Sequence, residues 1–257
     1  MMHISPEEFA ALPRQNREQI LLVLAEMKRR EAQKQFYDLF PDDDIVRTDG
    51  TIVHARAKYP KHIEFFSVGK EYRERCFLAA NRVGKTTAGG FELTTHLTGE
   101  YPEWWPGRRF PGPIRAWACG KNNETTRDIV QASLLGEIVE SERRKGFSGT
   151  GMIPGARIGI GTWKRGVADL CDTIKIRHAS GGWSLLGFKS YEQGRGSFEG
   201  TAQHVILLDE ECPVDIYGEC VIRTMTTNGL VMLTFTPLEG LTETVLAFMP
   251  NEERPAA

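Results

Sequence analysis

Apolar residues along this chain fall into two patterns, and each predicts a different element. Short unbroken runs come from Phe77-Leu78 leading into Ala79-Ala80, from Ile114-Arg115-Ala116-Trp117-Ala118-Cys119, from Val205-Ile206-Leu207-Leu208 and from Leu230-Val231-Met232-Leu233. Runs of this kind suit strands buried on both faces of a parallel sheet. Elsewhere the spacing is helical. Ser5-Pro6-Glu7-Glu8 reads as a helix start, and Ile20, Leu21, Val23, Leu24 and Met27 recur at helical intervals before the charged stretch 28–34. Pro41-Asp42-Asp43-Asp44 ends that segment, which is expected to be a packing or linker helix. Helix-compatible stretches follow at 86–97 and about 123–135. Ser180-Gly181-Gly182, set between apolar runs at 174–176 and 183–188, predicts a hairpin. Buried strands alternating with helices predict an α/β fold with a mostly parallel central sheet flanked by helices. The expected organisation is an N-terminal helical extension over 1–50 and one α/β domain over 51–257.

The break after the first buried run carries the most chemistry. Ala79-Ala80-Asn81-Arg82-Val83-Gly84-Lys85-Thr86-Thr87 has the form Ala-x4-Gly-Lys-Thr, with Ala79 standing where a phosphate loop ordinarily starts with Gly. A backbone with few bulky side chains can wrap phosphates with its N–H groups, and the next helix adds partial positive charge at its N-terminus. Residues 80–87 (Ala80, Asn81, Arg82, Val83, Gly84, Lys85, Thr86 and Thr87) are therefore the candidate nucleotide-binding set. Lys85 is expected on the β- and γ-phosphates, and the Thr86 hydroxyl on Mg²⁺.

A second strand supplies the carboxylates. The run 205–208 ends in Asp209-Glu210-Glu211. Asp209 at the strand tip is expected in the Mg²⁺ shell, and Glu210 beside the γ-phosphate, where it would polarise the attacking water. An Asp followed directly by Glu points to hydrolysis rather than transfer, because the extra carboxylate serves a water. One further strand precedes the acidic one and another, tipped by Thr234 and Thr236, follows it. That layout predicts a P-loop NTPase of the additional-strand, catalytic-Glu (RecA/helicase-like) type, with ATP and Mg²⁺ as cofactors and the two threonines placed to sense the γ-phosphate. No Asn/Thr-Lys-x-Asp element for guanine is present.

Composition removes several other classes. At 257 residues the chain can bury a substantial core. It has no apolar run near 18 residues and no apolar leader, so neither a membrane span nor secretion is expected. Five cysteines form no CxxC pair and six histidines show no HExxH spacing, which suggests reduced thiols rather than a disulfide set or zinc site. Formal net charge is −2, so any DNA contact must come from local patches. The candidate patches are Arg108-Arg109 beside Trp104-Trp105, Arg143-Arg144-Lys145, and Lys164-Arg165 beside Trp163, each with a solvated charged face as the alternative.

Taken together, Tyr59-Pro60-Lys61-His62, Ala80-Asn81-Arg82-Val83-Gly84-Lys85-Thr86, 190–201 with Arg195-Gly196, Leu208-Asp209-Glu210-Glu211 and Thr234-Phe235-Thr236-Pro237-Leu238 resemble the ATPase domain of the large terminase subunit, the motor that packages DNA into tailed-phage capsids. The resemblance covers most of the chain from about Tyr59. It implies an ATP-driven motor that moves double-stranded DNA without regard to sequence. It also implies a portal protein and a small terminase subunit as partners, a ring of like subunits when working, and action in the host cell cytoplasm. Arg82 matches the arginine usual in a terminase phosphate loop and is expected to act in cis. Arg195, flanked by Gly194 and Gly196, is expected to act in trans on a neighbour's ATP, the alternative being a surface pair with Glu192 or Glu199. His62 stands where many terminases place an adenine-reading Gln. The RNase H-like nuclease of full terminases has no counterpart before Ala257, so the ATPase half alone, without nuclease activity, is expected. A superfamily 2 helicase fragment, or a nucleotide-gated binding module with negligible turnover, are the alternatives.

Overall fold

The computed structural model describes residues 6–141, 144–238 and 240–249. Ser5 of the proposed helix start and Arg143 of one basic patch lie outside the described residues. Seven strands form the central sheet: β1 (Glu74–Leu78), β2 (Arg115–Gly120), β3 (Ile158–Trp163), β4 (Cys171–Arg177), β5 (Trp183–Ser190), β6 (Val205–Asp209) and β7 (Leu230–Phe235), in the order β1-β7-β6-β2-β5-β4-β3. The first five in that order run parallel, and β4 and β3 extend the sheet antiparallel. The expected hairpin is β4–β5. The strand lying in space between β1 and the acidic β6 is β7, the last in sequence.

Alternation along the strands builds a core on each face. Val205 and Leu207 of β6, with Leu230 and Met232 of β7, join one cluster, while Ile206, Leu208, Val231, Leu233 and Phe235 join the other. Every residue of β6 and β7 is buried, as a parallel sheet covered on both sides requires. The first face is covered by α3 (Lys85–Thr98), whose residues 88–98 are all buried. It lies close to the sheet at Gly89, where a Cβ would stand 2.6 Å from Leu207 Cδ1. The second face is covered by α4 (Val214–Met225), which buries Ile216 and Cys220.

A buried ion pair ties β1 to α3. Arg75 donates to Glu92 through both terminal nitrogens, at 3.1 and 2.8 Å, and to the Phe65 carbonyl at 2.6 Å. His96 Nε2 lies 3.3 Å from the same carboxylate. Burial raises the Glu92 carboxyl, but Arg75 and His96 outweigh that and hold it below its ordinary value.

The N-terminal segment corrects the packing expectation. α1 (Arg14–Ala32) does form, yet Leu21, Leu22, Val23, Leu24 and Met27 are exposed. Five consecutive large apolar residues, Ile20 to Leu24, wrap around a helix rather than making one stripe. The segment joins the core only beyond it, where Phe36 and Phe40 pack against Phe66 and Phe91 beside α2 (Pro60–Ser67). All five cysteines are free thiols, and among the described residues no helix is long and apolar enough to cross a membrane.

Candidate active site

The carboxyl ends of β1, β7 and β6 open into one cleft of about 940 Å³. Sequence dictates its floor. β1 runs out at Leu78, residues 79–84 loop back, and Gly84 at φ +82° starts α3. That backbone geometry suits glycine, which has no Cβ to clash. Of the five described non-glycine residues in the left-handed region, two line this cleft: Arg82 at φ +63° and Glu210 at φ +66°. Backbone strain of this kind persists where the surroundings impose it, and it clusters at functional sites.

Side chains from the two loops interlock. Thr86 Oγ1 donates to Asp209 Oδ1 at 2.9 Å, and Thr234 Oγ1 donates to the same oxygen at 2.7 Å. Lys85 Nζ donates to the Ala79 and Ala80 carbonyls at 2.9 and 2.6 Å and to Thr236 Oγ1 at 2.9 Å. Thr236 in turn reaches Asn81 Oδ1 at 2.8 Å. Burial raises the Asp209 carboxyl, against the Thr234 and Thr86 hydroxyls. Burial also lowers Lys85, against the attraction of Asp209. Glu210 Oε2 is buried with no hydrogen-bond partner among the described residues. The Thr86 hydroxyl and the Asp209 carboxylate are hard donors, the chemistry of Mg²⁺ rather than of a transition metal. Among the described residues no group of three or more His, Cys, Asp and Glu gathers to hold a metal. Mg²⁺ sites characteristically use one or two carboxylates together with substrate phosphates.

Asn81, Arg82, Gly84, Lys85, Thr86, Thr87, Asp209, Glu210, Thr234 and Thr236 therefore line one cleft. Ala80 contributes its carbonyl to Lys85, and Val83 points into solvent. His62 does not line the cleft. It is buried among Phe40, Tyr59 and Phe77, hydrogen-bonds with the backbone of Val83 and Gly84, and sits behind the loop. Thr234 is spent on Asp209 and is 2% exposed, so of the two threonines Thr236 has the more direct line to the loop.

Arg195 stands outside the cleft. Its partner is neither Glu192 nor Glu199: Nε and a terminal nitrogen donate to Glu219 Oε2 at 3.2 and 3.1 Å. Glu219 is buried on α4 and pairs with Arg223 at 2.9 Å as well. A buried carboxylate offers a stronger field than the solvated acids nearby in sequence, which is why the local pairing loses.

Residues of the candidate DNA patches also make contacts within the chain. Arg108 donates to the Asn228 carbonyl and lies over Phe110, Arg109 lies over Tyr101, Trp105 is buried, and Trp104 stacks on Phe91. These residues fasten the 101–110 loop to the body. Lys145 is bound to Asp169 at 2.7 Å, and Trp163 packs on Phe147. Arg165 remains exposed.

The cleft has further walls that motif reading passed over: Lys121, Ile129, Tyr191 and Thr242. Tyr191 donates to the Asp209 carbonyl at 2.8 Å and so buttresses the strand tip, while Thr242 bonds Glu211. Lys121 follows directly on β2, the neighbour of β6. Its position just past the carboxyl end of a parallel strand is the one signal that could have found it.

Comparison with known proteins shows the family. The family model described as "Terminase large subunit, T4likevirus-type, N-terminal" matches residues 76–257. Over 243 residues the chain is 35% identical to the "Terminase, large subunit" of Salmonella phage P22, a match covering 87% of this chain and 47% of that protein. The chain belongs to the terminase large subunit family, within its N-terminal region. It spans about half the length of the curated relative it matches. A solved large terminase from a thermophilic bacteriophage, in complex with ADP, is similar at a TM-score of 0.44 and 14% identity over 70% of this chain and 37% of that one. That likeness is too distant to carry an argument. Neither the helicase-fragment nor the gated-module alternative is favoured by these matches.

Proposed function

We propose that this chain is the ATP-hydrolysing motor portion of a phage large terminase, driving sequence-independent movement of double-stranded DNA into a procapsid. In this reading residues 51–257 are a P-loop NTPase domain of the additional-strand, catalytic-Glu type, and 1–50 are its extension. Portal protein and small terminase subunit are the partners, a ring of copies is the working form, and the host cytoplasm is the place of action. The observation that carries the reading is the meeting of Lys85, Thr86, Asp209 and Glu210 in one cleft, with β7 between the two strands that deliver them.

The backbone of residues 80–86 binds the phosphates, and Lys85 leaves its carbonyl partners for the β- and γ-phosphate oxygens. Thr86 and Asp209 would hold Mg²⁺, which would supply charge neutralisation to the phosphate oxygens. Glu210, whose Oε2 is otherwise unpartnered, orients the attacking water and accepts its proton. The water oxygen bonds to the γ-phosphorus as the bridging oxygen leaves with ADP. Arg82 acts in cis on the phosphates of its own loop.

The test is phosphate release by the chain, compared with Lys85→Ala. Loss of hydrolysis with an unchanged melting profile is the expected result. Hydrolysis near the parent rate in that variant would reject the assignment.

A further inference from the structure

The acidic strand outruns one of its neighbours. β6 and β2 pair only as far as Leu208 and Cys119, and β2 ends at Gly120. On the β7 side the ladder continues, and the Glu210 N–H donates to the Thr234 carbonyl at 3.0 Å. Backbone groups alternate in direction along a strand, so the Asp209 carbonyl points the other way, toward the place that β2 has left. Asp209 is 3% exposed, and a buried carbonyl needs a partner. Tyr191 supplies it. The phenol donates to that carbonyl at 2.8 Å, with the Glu210 carbonyl 3.4 Å away.

That hydroxyl stands on firm ground. The Tyr191 ring is buried in the apolar cluster that includes Ile206, Cys212 and Ile216, and burial pushes its phenol well above the ordinary value, so it stays a donor. The next two residues are bolted to the segment just past β2. Glu192 N–H donates to the Lys121 carbonyl at 3.2 Å, and the Glu192 carboxylate accepts the Asn123 N–H at 2.8 Å. The Gln193 amide donates to Asn123 Oδ1 at 3.1 Å. What the hydroxyl holds is the turn at Glu210, whose φ of +66° is unfavourable for a residue with a side chain. Glu210 Oε2 is buried with no hydrogen-bond partner among the described residues, so that bent backbone is what aims the carboxylate into the cleft.

We propose that Tyr191 is a positioning residue for hydrolysis: its hydroxyl clamps the main chain of Asp209 and Glu210 so that the Glu210 carboxylate faces the attacking water. The inference rests on the ATPase reading above. It separates the clamp from ordinary packing, because the phenolic oxygen and the ring do different work. The ring fills the core, while the oxygen alone touches the strand tip. Its loss should therefore fall on the chemical step. A reacting group misplaced by about 1 Å costs on the order of 100-fold in rate.

Tyr191→Phe tests it, since the ring stays and only the hydroxyl goes. Single-turnover phosphate release should slow by about 10-fold or more, while KM for ATP and calorimetric affinity for ADP with Mg²⁺ stay within about twofold of the parent. A double-mutant cycle with Glu210→Gln gives the readout that a purely structural role would not move. With no base left to aim, adding Tyr191→Phe should slow release by less than about twofold further. Ile216→Val loosens the same apolar cluster from α4 without touching the strand tip, and should lower the melting temperature with release near the parent rate. Release at the parent rate in Tyr191→Phe would overturn the proposal, as would an equal fall in nucleotide affinity. The same slowing in both Glu210 backgrounds, or in Ile216→Val, would also overturn it. Absence of hydrolysis by the parent would bring down the ATPase reading itself and this inference with it.

Discussion

Thr86 and Asp209, far apart in sequence, meet through a hydrogen bond of 2.9 Å between the Thr86 hydroxyl and Asp209 Oδ1. They are delivered by strands that do not touch each other, because β7 lies between β1 and β6. β7 adds its own hydroxyl, Thr234, to the same carboxylate oxygen. Two neutral donors thus hold a carboxylate that burial pushes toward protonation, and they oppose that push without cancelling it. The carboxylate needs no side-chain cation to be placed, which leaves its charge free for a ligand.

Separation of binding from chemistry is expected at Glu210. Glu210→Gln keeps the shape of the side chain and removes the base. ATP with Mg²⁺ should still bind, while turnover falls by roughly 100-fold or more, the scale of lost general-base catalysis. Titration and single-turnover phosphate release measure the two. Collapse of binding instead would make Glu210 a metal or structural residue, with Glu211 next in line for the base.

Arg195 is held by Glu219 yet leaves 54% of its side chain exposed, a geometry compatible with reaching a neighbouring subunit. We expect hydrolysis to rise with assembly, because an engaged arginine finger contributes on the order of 10³ or more in rate. Arg195→Ala and Lys85→Ala chains, each inactive alone, should recover activity when mixed, since one interface then joins an intact loop to an intact Arg195. No recovery despite confirmed co-assembly would make Arg195 a cis or structural residue.

The Arg75–Glu92 pair is almost wholly buried, with side chains 3% and 0% exposed. Glu92→Gln removes one charge and strands the other, which costs about 3–5 kcal/mol. Urea denaturation reads this directly. A loss under about 1 kcal/mol, the scale of a surface pair, would show that the guanidinium finds water instead.

Acid should weaken the fold through its buried histidines. His62, His96, His178 and His204 are all pushed below 6.5 by burial. The unfolded chain therefore takes up protons first as pH falls, and stability present above about 6.5 declines below it. Asp209, raised by burial, works in the opposite sense, but from the ordinary carboxylate range upward and as one group against four. Melting temperature followed from pH 8 to 5.5 should drop. A flat or rising profile would contradict the assignment.

Much of the fold is legible in the chain because its signals are local. Apolar runs mark β2, β6 and β7, the turn glycines at 181 and 182 mark the β4–β5 hairpin, and Gly84-Lys85-Thr86 marks the start of α3. Each element needs only its own residues to announce it: a run with no polar alternation must be buried on both faces, and a glycine before a helix permits a left-handed turn. The loop 79–87 and the acidic tip of β6 are each legible for the same reason, though their meeting is not.

Contacts between distant segments are not written in any local pattern. Arg195 chose Glu219, not the acids three and four residues away, because only the packed α4 offers a desolvated carboxylate. His62 turned behind the loop because Phe40, Tyr59 and Phe77 enclose it. The basic and aromatic residues of the 101–110 loop became fasteners because the loop folds back on Phe91 and the Asn228 carbonyl. By itself the sequence determined which elements form and which residue types stand at their ends, since propensity, periodicity and turn chemistry act over a few residues. Only the tertiary structure decided which of those side chains share a cleft and which serve as struts, because burial and partner choice depend on strands and helices brought together across the whole chain.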